Sequence, residues 1–374
     1  ATGLPGAVEI HAQRRLAPVH LLACISHHGR GHLAQSAPVL NALLALWPGL
    51  KLTVRSVLPH SVLAGRIRGP FTHLPEAADC GFLMQDALRV DLEASLEAYR
   101  AFHAEWQARV TREAGFLCAA RIDGVLSNVA YLPLAAAQAA GLRSAALCSL
   151  NWLDIFRHYL GDAPDVAAIT KQMAQAYQSA AIFFRPEPSM PMADLDNTRA
   201  VPPIAEPGRQ RREELRGRLH LPAACRLVLV GMGGVAYRLQ GEHWCHGEDL
   251  VWLVPDDWDT DGRRVFGFSQ TGMPFGDLLA SCDALITKPG YGSFVEAALA
   301  GVPVLYLPRR DWPETPYLTD WLHRNARALE IEEEAWRMGR AEAALQRLWA
   351  QAPRQPVRAD GASIVAERLR GLFG

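Results

Sequence analysis

Three histidines, His27, His28 and His32, fall in the run Ser26-His27-His28-Gly29-Arg30-Gly31-His32. Imidazole titrates closest to neutral pH of all the side chains, so the cluster offers a general base for taking a proton from a hydroxyl. The structural alternative is that one or more of them orders the glycine turn by hydrogen bonding. A second stretch, Thr287-Lys288-Pro289-Gly290-Tyr291-Gly292-Ser293-Phe294-Val295-Glu296, puts two glycines and a hydroxyl where a strand hands over to a helix. Ser293 is expected as the helix N-cap, with the free N–H groups behind it facing a phosphate. Glu296, one turn in, is placed to accept hydrogen bonds from a ribose diol. The structural alternative is a capping box in which its carboxylate returns to the Ser293 amide.

The elements that must position these groups alternate along the chain. Apolar runs predict strands at residues 19–26, 52–58, 124–127, 144–149, 226–230, 251–254, 284–287 and 304–307. Helical spacing predicts helices at 33–47, 90–118, 132–140 and 293–300, with a largely helical region after Pro316. Strands alternating with helices imply parallel sheets covered on both faces. Seven prolines between 186 and 222 are expected to break any regular element, and the pattern restarts after them. The expectation is an α/β protein of two Rossmann-like doubly wound domains facing a cleft, at 18–205 and 206–350. A C-terminal helix in 351–374 is expected to pack back on the first domain. Residues 1–18 lack an apolar signal core and read as a loose tail.

Composition narrows the function. The 374 residues are 49% hydrophobic, and 38 Lys plus Arg stand against 39 Asp plus Glu. A net charge of -1 leaves no global footprint for nucleic acid or an anionic membrane, so an anionic ligand must be captured locally. The richest apolar stretch, 132–150, is interrupted by Gln138, Gly141 and Arg143, short of the ~20 apolar residues of a membrane span. Seven cysteines at wide spacing, without a CxxC, suit a reducing cytoplasm.

Both glycine turns fit G-x-G-x-x-A, as Gly29, Gly31, Ala34 and as Gly231, Gly233, Ala236. A dinucleotide site would also want an acidic residue ~20 positions on. The chain has Arg55 and Ser56 there, which disfavours NAD and leaves NADP formally open. Asp257-Trp258-Asp259-Thr260-Asp261-Gly262 imitates half a calcium loop, but its twelfth position is Phe268, so it reads as a solvated turn. His243, Cys245, His246 and Glu248 lack a second ligand cluster, and no metal site is expected.

The motifs together resemble the GT-B glycosyltransferases over roughly residues 18–330. Gly31-His32 is similar to the Gly-His that opens the first helix in many of them, and Gly290 to Pro303 is similar to their G-x-x-S/T-x-x-E-A-x-x-x-G-x-P pattern. A closer likeness is to the glycosyltransferase-like N-terminal region of plant L-arabinokinases, with their S-H-H-G-x-G-H turn and K-P-G-Y-G segment followed by R-R-D. The sugar-kinase domain of those proteins has no counterpart in these residues.

The resemblance implies transfer of a sugar from a UDP-, dTDP- or GDP-linked donor, with no other cofactor and with helix N-termini in place of a metal. Gly233, Gly234, Gly290, Gly292 and Ser293 would hold the diphosphate, with charge added by Arg309 or Arg310. Glu296 would bind the ribose, backbone near Phe266 and Phe268 the base, and Asp311 and Glu314 the sugar hydroxyls. His32 matches the base position, with His27 and His28 as close competitors. Many members place an aspartate beside the base where this chain has Asn128, which can fix an imidazole but supplies no charge. A small-molecule or lipid-linked acceptor would sit near His60, Asp79, Asn151 and Trp152, in a monomer or homodimer that binds no nucleic acid. The alternatives are a non-catalytic sugar-nucleotide-binding module and a sugar-nucleotide epimerase on the same scaffold.

Overall fold

The computed structural model describes residues 18–86, 88–232, 249–355 and 357–374. Their strands form two sheets, parallel throughout. The first contains β1 (His20–Ile25), β2 (Lys51–Arg55), β3 (Thr72–Leu74), β4 (Gly124–Asn128), β5 (Arg143–Leu147), β6 (Ile182–Pro186) and β7 (Thr198–Val201), in the order β3-β2-β1-β4-β5-β6-β7. The second contains β8 (Arg226–Gly231), β9 (Leu250–Val254), β10 (Val265–Gly267), β11 (Ala284–Thr287), β12 (Val304–Tyr306) and β13 (Ala328–Glu330), in the order β10-β9-β8-β11-β12-β13. Strand order reverses between β1 and β4 and again between β8 and β11. At such a reversal the connections leave to opposite faces of the sheet, opening a crevice outside the carboxyl ends of the two strands. Both motifs singled out in the sequence follow these ends.

The central strands are unbroken apolar runs because helices cover both faces. Every residue of β1 and of β9 is buried. On one face of the first sheet, Leu33, Leu40 and Leu43 of the Gly31–Leu46 helix join Leu21, Ala23 and Val54 in one core. The C-terminal helix, Gly361–Phe373, packs against that same helix and sends Val365, Ala366 and Leu369 into this core. No described helix is long and apolar enough to cross a membrane.

Two expectations need correction. The helix expected over 90–118 is two helices, Leu92–Ala104 and Trp106–Ala119, parted at Glu105. They bury different partners: Tyr99 and His103 face the helices of the Trp152–Gln178 region, whereas the second helix lies along Leu132–Ala139. The prolines after 186 do not abolish regular structure either. Pro186 ends β6 and pairs with Val201 of β7, beyond Phe184, the last β6 residue paired with β5, so its missing N–H falls past the end of that ladder.

Leu369 is fully buried between the C-terminal helix and the core of the first sheet. Leu369→Ala is therefore expected to lower stability by about 2–5 kcal/mol, read as an earlier urea midpoint with an unchanged slope.

Candidate functional site

The first sheet holds the histidine turn by its strand ends. Ser26 N–H donates to Asn128 O at 2.7 Å, tying the residue after β1 to the last residue of β4. Gly29 has φ of 83°, a left-handed conformation that favours glycine, and its N–H closes on His27 O at 2.7 Å. The helix starts at Gly31, so His32 lies in its first turn, 5% exposed.

Asn128 Oδ1 accepts from His32 Nδ1 at 2.8 Å. Asn128 Nδ2 donates to His32 O and to Gln35 Oε1, both at 3.3 Å, and this fixes which way the carboxamide faces. His32 Nδ1 therefore carries the hydrogen, and Nε2 keeps a lone pair. Burial holds this imidazole below its ordinary range, against the Asn128 bond and the Asp79 charge, which raise it. A neutral histidine with a free Nε2 is a competent proton acceptor.

His28 is half-buried. The edge of its ring meets Trp152 at 5.1 Å and its face stacks on Trp312 at 5.8 Å. Burial, with positive neighbours, holds it well below the ordinary range. His27 is exposed. Of the residues expected near an acceptor, Trp152 lies 5.7 Å from the His32 ring and donates through Nε1 to Asp79 Oδ2 at 2.7 Å. Asn151 caps the Trp152–Leu160 helix, and the His60 ring lies tilted against Phe71 and His73.

The second sheet presents its motif in the same way. Thr287 Oγ1 donates to Gly231 O at 2.6 Å, locking the ends of β11 and β8. The helix after β11 is Tyr291–Ala300, and its N-cap is Gly290, in extended conformation. Ser293 is thus the third helical residue and not the cap. Tyr291 forces the earlier start by anchoring the first turn: its hydroxyl accepts from Ile204 N–H at 2.8 Å and donates to Glu187 O at 3.2 Å.

Neither this helix nor Gly31–Leu46 has an acidic residue in its first turn or a side-chain cap, so each keeps free N–H groups for an anion. The two first turns meet. A Cβ added at Gly292 would lie 2.8 Å from Ala34 Cβ.

Glu296 forms a short ion pair with Arg66 of the first half, in place of the capping box. Lys288, half-buried, has its ammonium pushed down to about 7 by burial, with Arg309 acting the same way and Glu314 opposing. Arg309 is 7% exposed and lies 4.0 Å over the Trp312 ring; its Nε has no hydrogen-bond partner among the described residues. Burial lowers it to about 10. Glu314, 5% exposed, accepts from Ser149 Oγ at 2.6 Å and from Trp312 Nε1 at 3.2 Å, and burial raises its pKa.

Other candidates sit apart. Arg310 is exposed and pairs with Glu330 at 2.7 Å, and the Asp311 carboxylate is exposed, 3.9 Å from His158. Phe268 opens the Phe268–Thr271 helix and packs edge-on against Phe275. Gly233, Gly234, Ala236, His243, Cys245, His246 and Glu248 lie outside the described residues.

Among the described residues no three His, Cys, Asp or Glu side chains gather to hold a metal. In the 257–262 turn, Asp261 Oδ1 accepts the N–H groups of Arg263, Arg264 and Val265, each at 2.8 Å. Arg55 is committed to Glu113 and Glu76 and is not open to a 2′-phosphate. Sequence reasoning did not assign Lys288, Arg66, Gln35, Ser149 or Trp312. Two of them carried a signal: Lys288 stands inside the quoted 287–296 stretch, and Gln35 lies three residues from His32 on one helix face.

No family model matches the chain. It is 26% identical over 361 residues to L-arabinokinase of Arabidopsis thaliana, an alignment covering 92% of this chain and 34% of that protein, so the chain spans about a third of that relative's length. Among solved structures it is similar to CalG4, the calicheamicin glycosyltransferase, with a TM-score of 0.64 at 15% identity over 96% of this chain and 99% of that one. The glycotransferase of kitacinnamycin gives 0.61 at 16% identity, over 95% and 94%. Arabidopsis thaliana UGT89C1 gives 0.58 complexed with quercetin and 0.55 complexed with UDP, each at 15% identity, covering 94% of this chain and 93% and 94% of those. The fold is GT-B.

A lysine poised near neutrality makes anion binding depend on pH. Only protonated Lys288 attracts an anion, so pyrophosphate affinity measured by calorimetry is expected to fall as pH rises above about 7, by up to about tenfold per unit. Lys288→Met is expected to bind more weakly and without this slope.

Proposed function

We propose that the chain is a metal-independent glycosyltransferase. On this reading the C-terminal half holds a UDP-, dTDP- or GDP-linked sugar, and the N-terminal half holds the hydroxyl of a small-molecule or lipid-linked acceptor. The observation that carries the proposal is the convergence, at one joint, of a helix N-terminus with a half-buried lysine and a buried arginine from one half and a neutral, oriented histidine from the other. The GT-B neighbours support it, among them UGT89C1, solved once with UDP and once with quercetin.

In the proposed reaction His32 Nε2 takes the proton of the acceptor hydroxyl. The acceptor oxygen bonds to the anomeric carbon as the bond from that carbon to the diphosphate breaks. The electron pair stays on the diphosphate, where the first-turn N–H groups at Gly292 and Ser293, together with Lys288 and Arg309, stabilise the charge. Arg309, buried and stacked on Trp312, is better placed for this than Arg310, which is engaged at the surface. Glu314 is the sugar-hydroxyl ligand that faces the joint. Glu296 binds the ribose, and for that the Arg66 guanidinium must leave it.

Domain closure around both substrates excludes water, so transfer outpaces hydrolysis of the donor. Roles for Gly233 and Gly234 beside the diphosphate follow from the family pattern alone.

Release of nucleoside diphosphate from a panel of sugar nucleotides, with and without acceptors, tests the activity. Glu296→Ala is expected to weaken donor binding about tenfold or more. His32→Ala is expected to leave binding nearly intact and to slow turnover by about 100-fold or more. Equal loss of binding in both variants would make His32 structural.

A further inference from the structure

We propose that Asp79 is the counter-charge of His32: its buried carboxylate stabilises the imidazolium that forms when Nε2 takes the acceptor's proton, a task for which Asn128 has no charge. Asp79 acts through His32 and is a positioning residue, and the proposal rests on the reading of His32 as the base.

Asp79 lies on the loop that follows β3 and is buried. Three contacts fix this loop beside the carboxyl ends of β1 and β4. Ala78 joins Cys24 and Ala130 in one core, the Phe82 ring packs on Tyr99 and Trp152, and Ala77 O accepts from Arg55 at 3.3 Å. The Asp79 carboxylate accepts from Trp152 Nε1 at 2.7 Å and from Ser26 Oγ at 3.3 Å, and among the described residues it forms no ion pair. A carboxylate taken from water without a cation is costly, and two hydrogen bonds offset only part of that cost. The cost shrinks when a positive charge appears nearby, and the proposed reaction makes one at His32.

Two links set the carboxylate beside that imidazole. The Trp152 ring, which holds it through Nε1, packs on the His32 ring with centroids 5.7 Å apart. Ser26, which holds it through Oγ, donates its N–H to Asn128 O at 2.7 Å, and Asn128 Oδ1 accepts from His32 Nδ1. Asp79 and His32 are not bonded to each other, so the interaction is Coulombic, and an interior with little water carries it further than solvent would. The Asp79 charge accordingly raises the pKa of His32 against burial.

The other groups around the ring do not supply this charge. Asn128 is neutral, and Cys148 Sγ, 3.6 Å from Nδ1, is kept as a thiol by burial. A charge on His27 or His28 opposes one on His32, and Lys288 and Arg309 act on His28 with the same sign from the other half. Glu314 is bound to Ser149 and Trp312, and burial holds it toward its neutral form. Around Asp79 itself, the Cys80 thiol is pushed up to about 12 by burial, Arg55 is committed to Glu113 and Glu76, and Arg109 lies over the Phe102 ring.

An NMR titration of histidine-labelled full-length protein reads the His32 pKa with no donor present, the His32 signals being assigned by their loss in His32→Gln. Asp79→Asn keeps the shape and an acceptor for Trp152 but deletes the charge. It is expected to lower the His32 pKa by about 1 and, with a turned-over donor, to lower kcat about threefold to tenfold while donor KM stays within about twofold. The acid limb of the kcat profile is expected to move to lower pH with the His32 pKa. Asp79→Ser, which deletes the charge and leaves room for a water, is expected to do the same and decides if Asp79→Asn does not fold. An unchanged His32 pKa in the folded variant overturns the proposal, as does a wild-type His32 that stays neutral down to acid unfolding. A raised acceptor KM with an unchanged His32 pKa makes Asp79 an acceptor ligand instead. Loss of folding in both variants, or of stability alone, makes it structural. Absence of turnover with every donor defeats the assigned activity and leaves the titration to judge Asp79.

Discussion

The approach of Gly292 to Ala34 is the contact on which the joint depends. With no side chain at Gly292, the first turns of two helices from different halves come together. Each helix brings the positive end of its dipole, and neither softens it with an acidic residue in its first turn. Lys288 and Arg309 add positive charge from the same side, and the pKa of each is lowered by burial. Positive charge gathered in this way is electrostatically costly by itself, and on the proposed reading an anion would relieve it. On the proposed reading, a chain of net charge -1 would capture its anion through this local concentration of positive ends.

The remaining polar contacts across the joint share a logic. Arg66 with Glu296, Ser149 with Glu314, and the stack of Arg309, Trp312 and His28 each pair a group of one half with a group of the other. In a partly dehydrated site such pairs are stronger than at the surface, and unmatched members cost more. A substrate that displaces Arg66 from Glu296 must offer equivalent partners, which hydroxyls of a ribose provide for the carboxylate and a phosphate provides for the guanidinium. Closure and substrate contact would thereby be linked through a few side chains.

Much of this was legible in the sequence. β1, β4, β8 and β11 were readable because both faces are covered, so they stand out as unbroken apolar runs. The edge strands β3, β10 and β13, three residues each, are too short for any periodicity. β6 and β7 were masked by prolines that are harmless because they stand at or beyond the strand ends, Pro186 closing β6 and Pro202 and Pro203 following β7. The break at Glu105 and the early helix start at Gly290 come from partners distant in sequence, Tyr131 and Gln172 for His103 and Ile204 and Glu187 for Tyr291. Arg309 and Arg310 are neighbours of one type, and only the path of the loop buries the first and exposes the second. Lys288 stood inside a quoted motif, but its lowered pKa arises from surroundings that spacing does not reveal.

The central claim is that the joint between the halves is a nucleoside-diphosphate site. Thermal shift and calorimetry with UDP, dTDP and GDP, each set beside its own nucleoside, test it most directly. At least one diphosphate should bind saturably and raise Tm while its nucleoside binds far more weakly. Failure of all three diphosphates to bind the folded protein would contradict it.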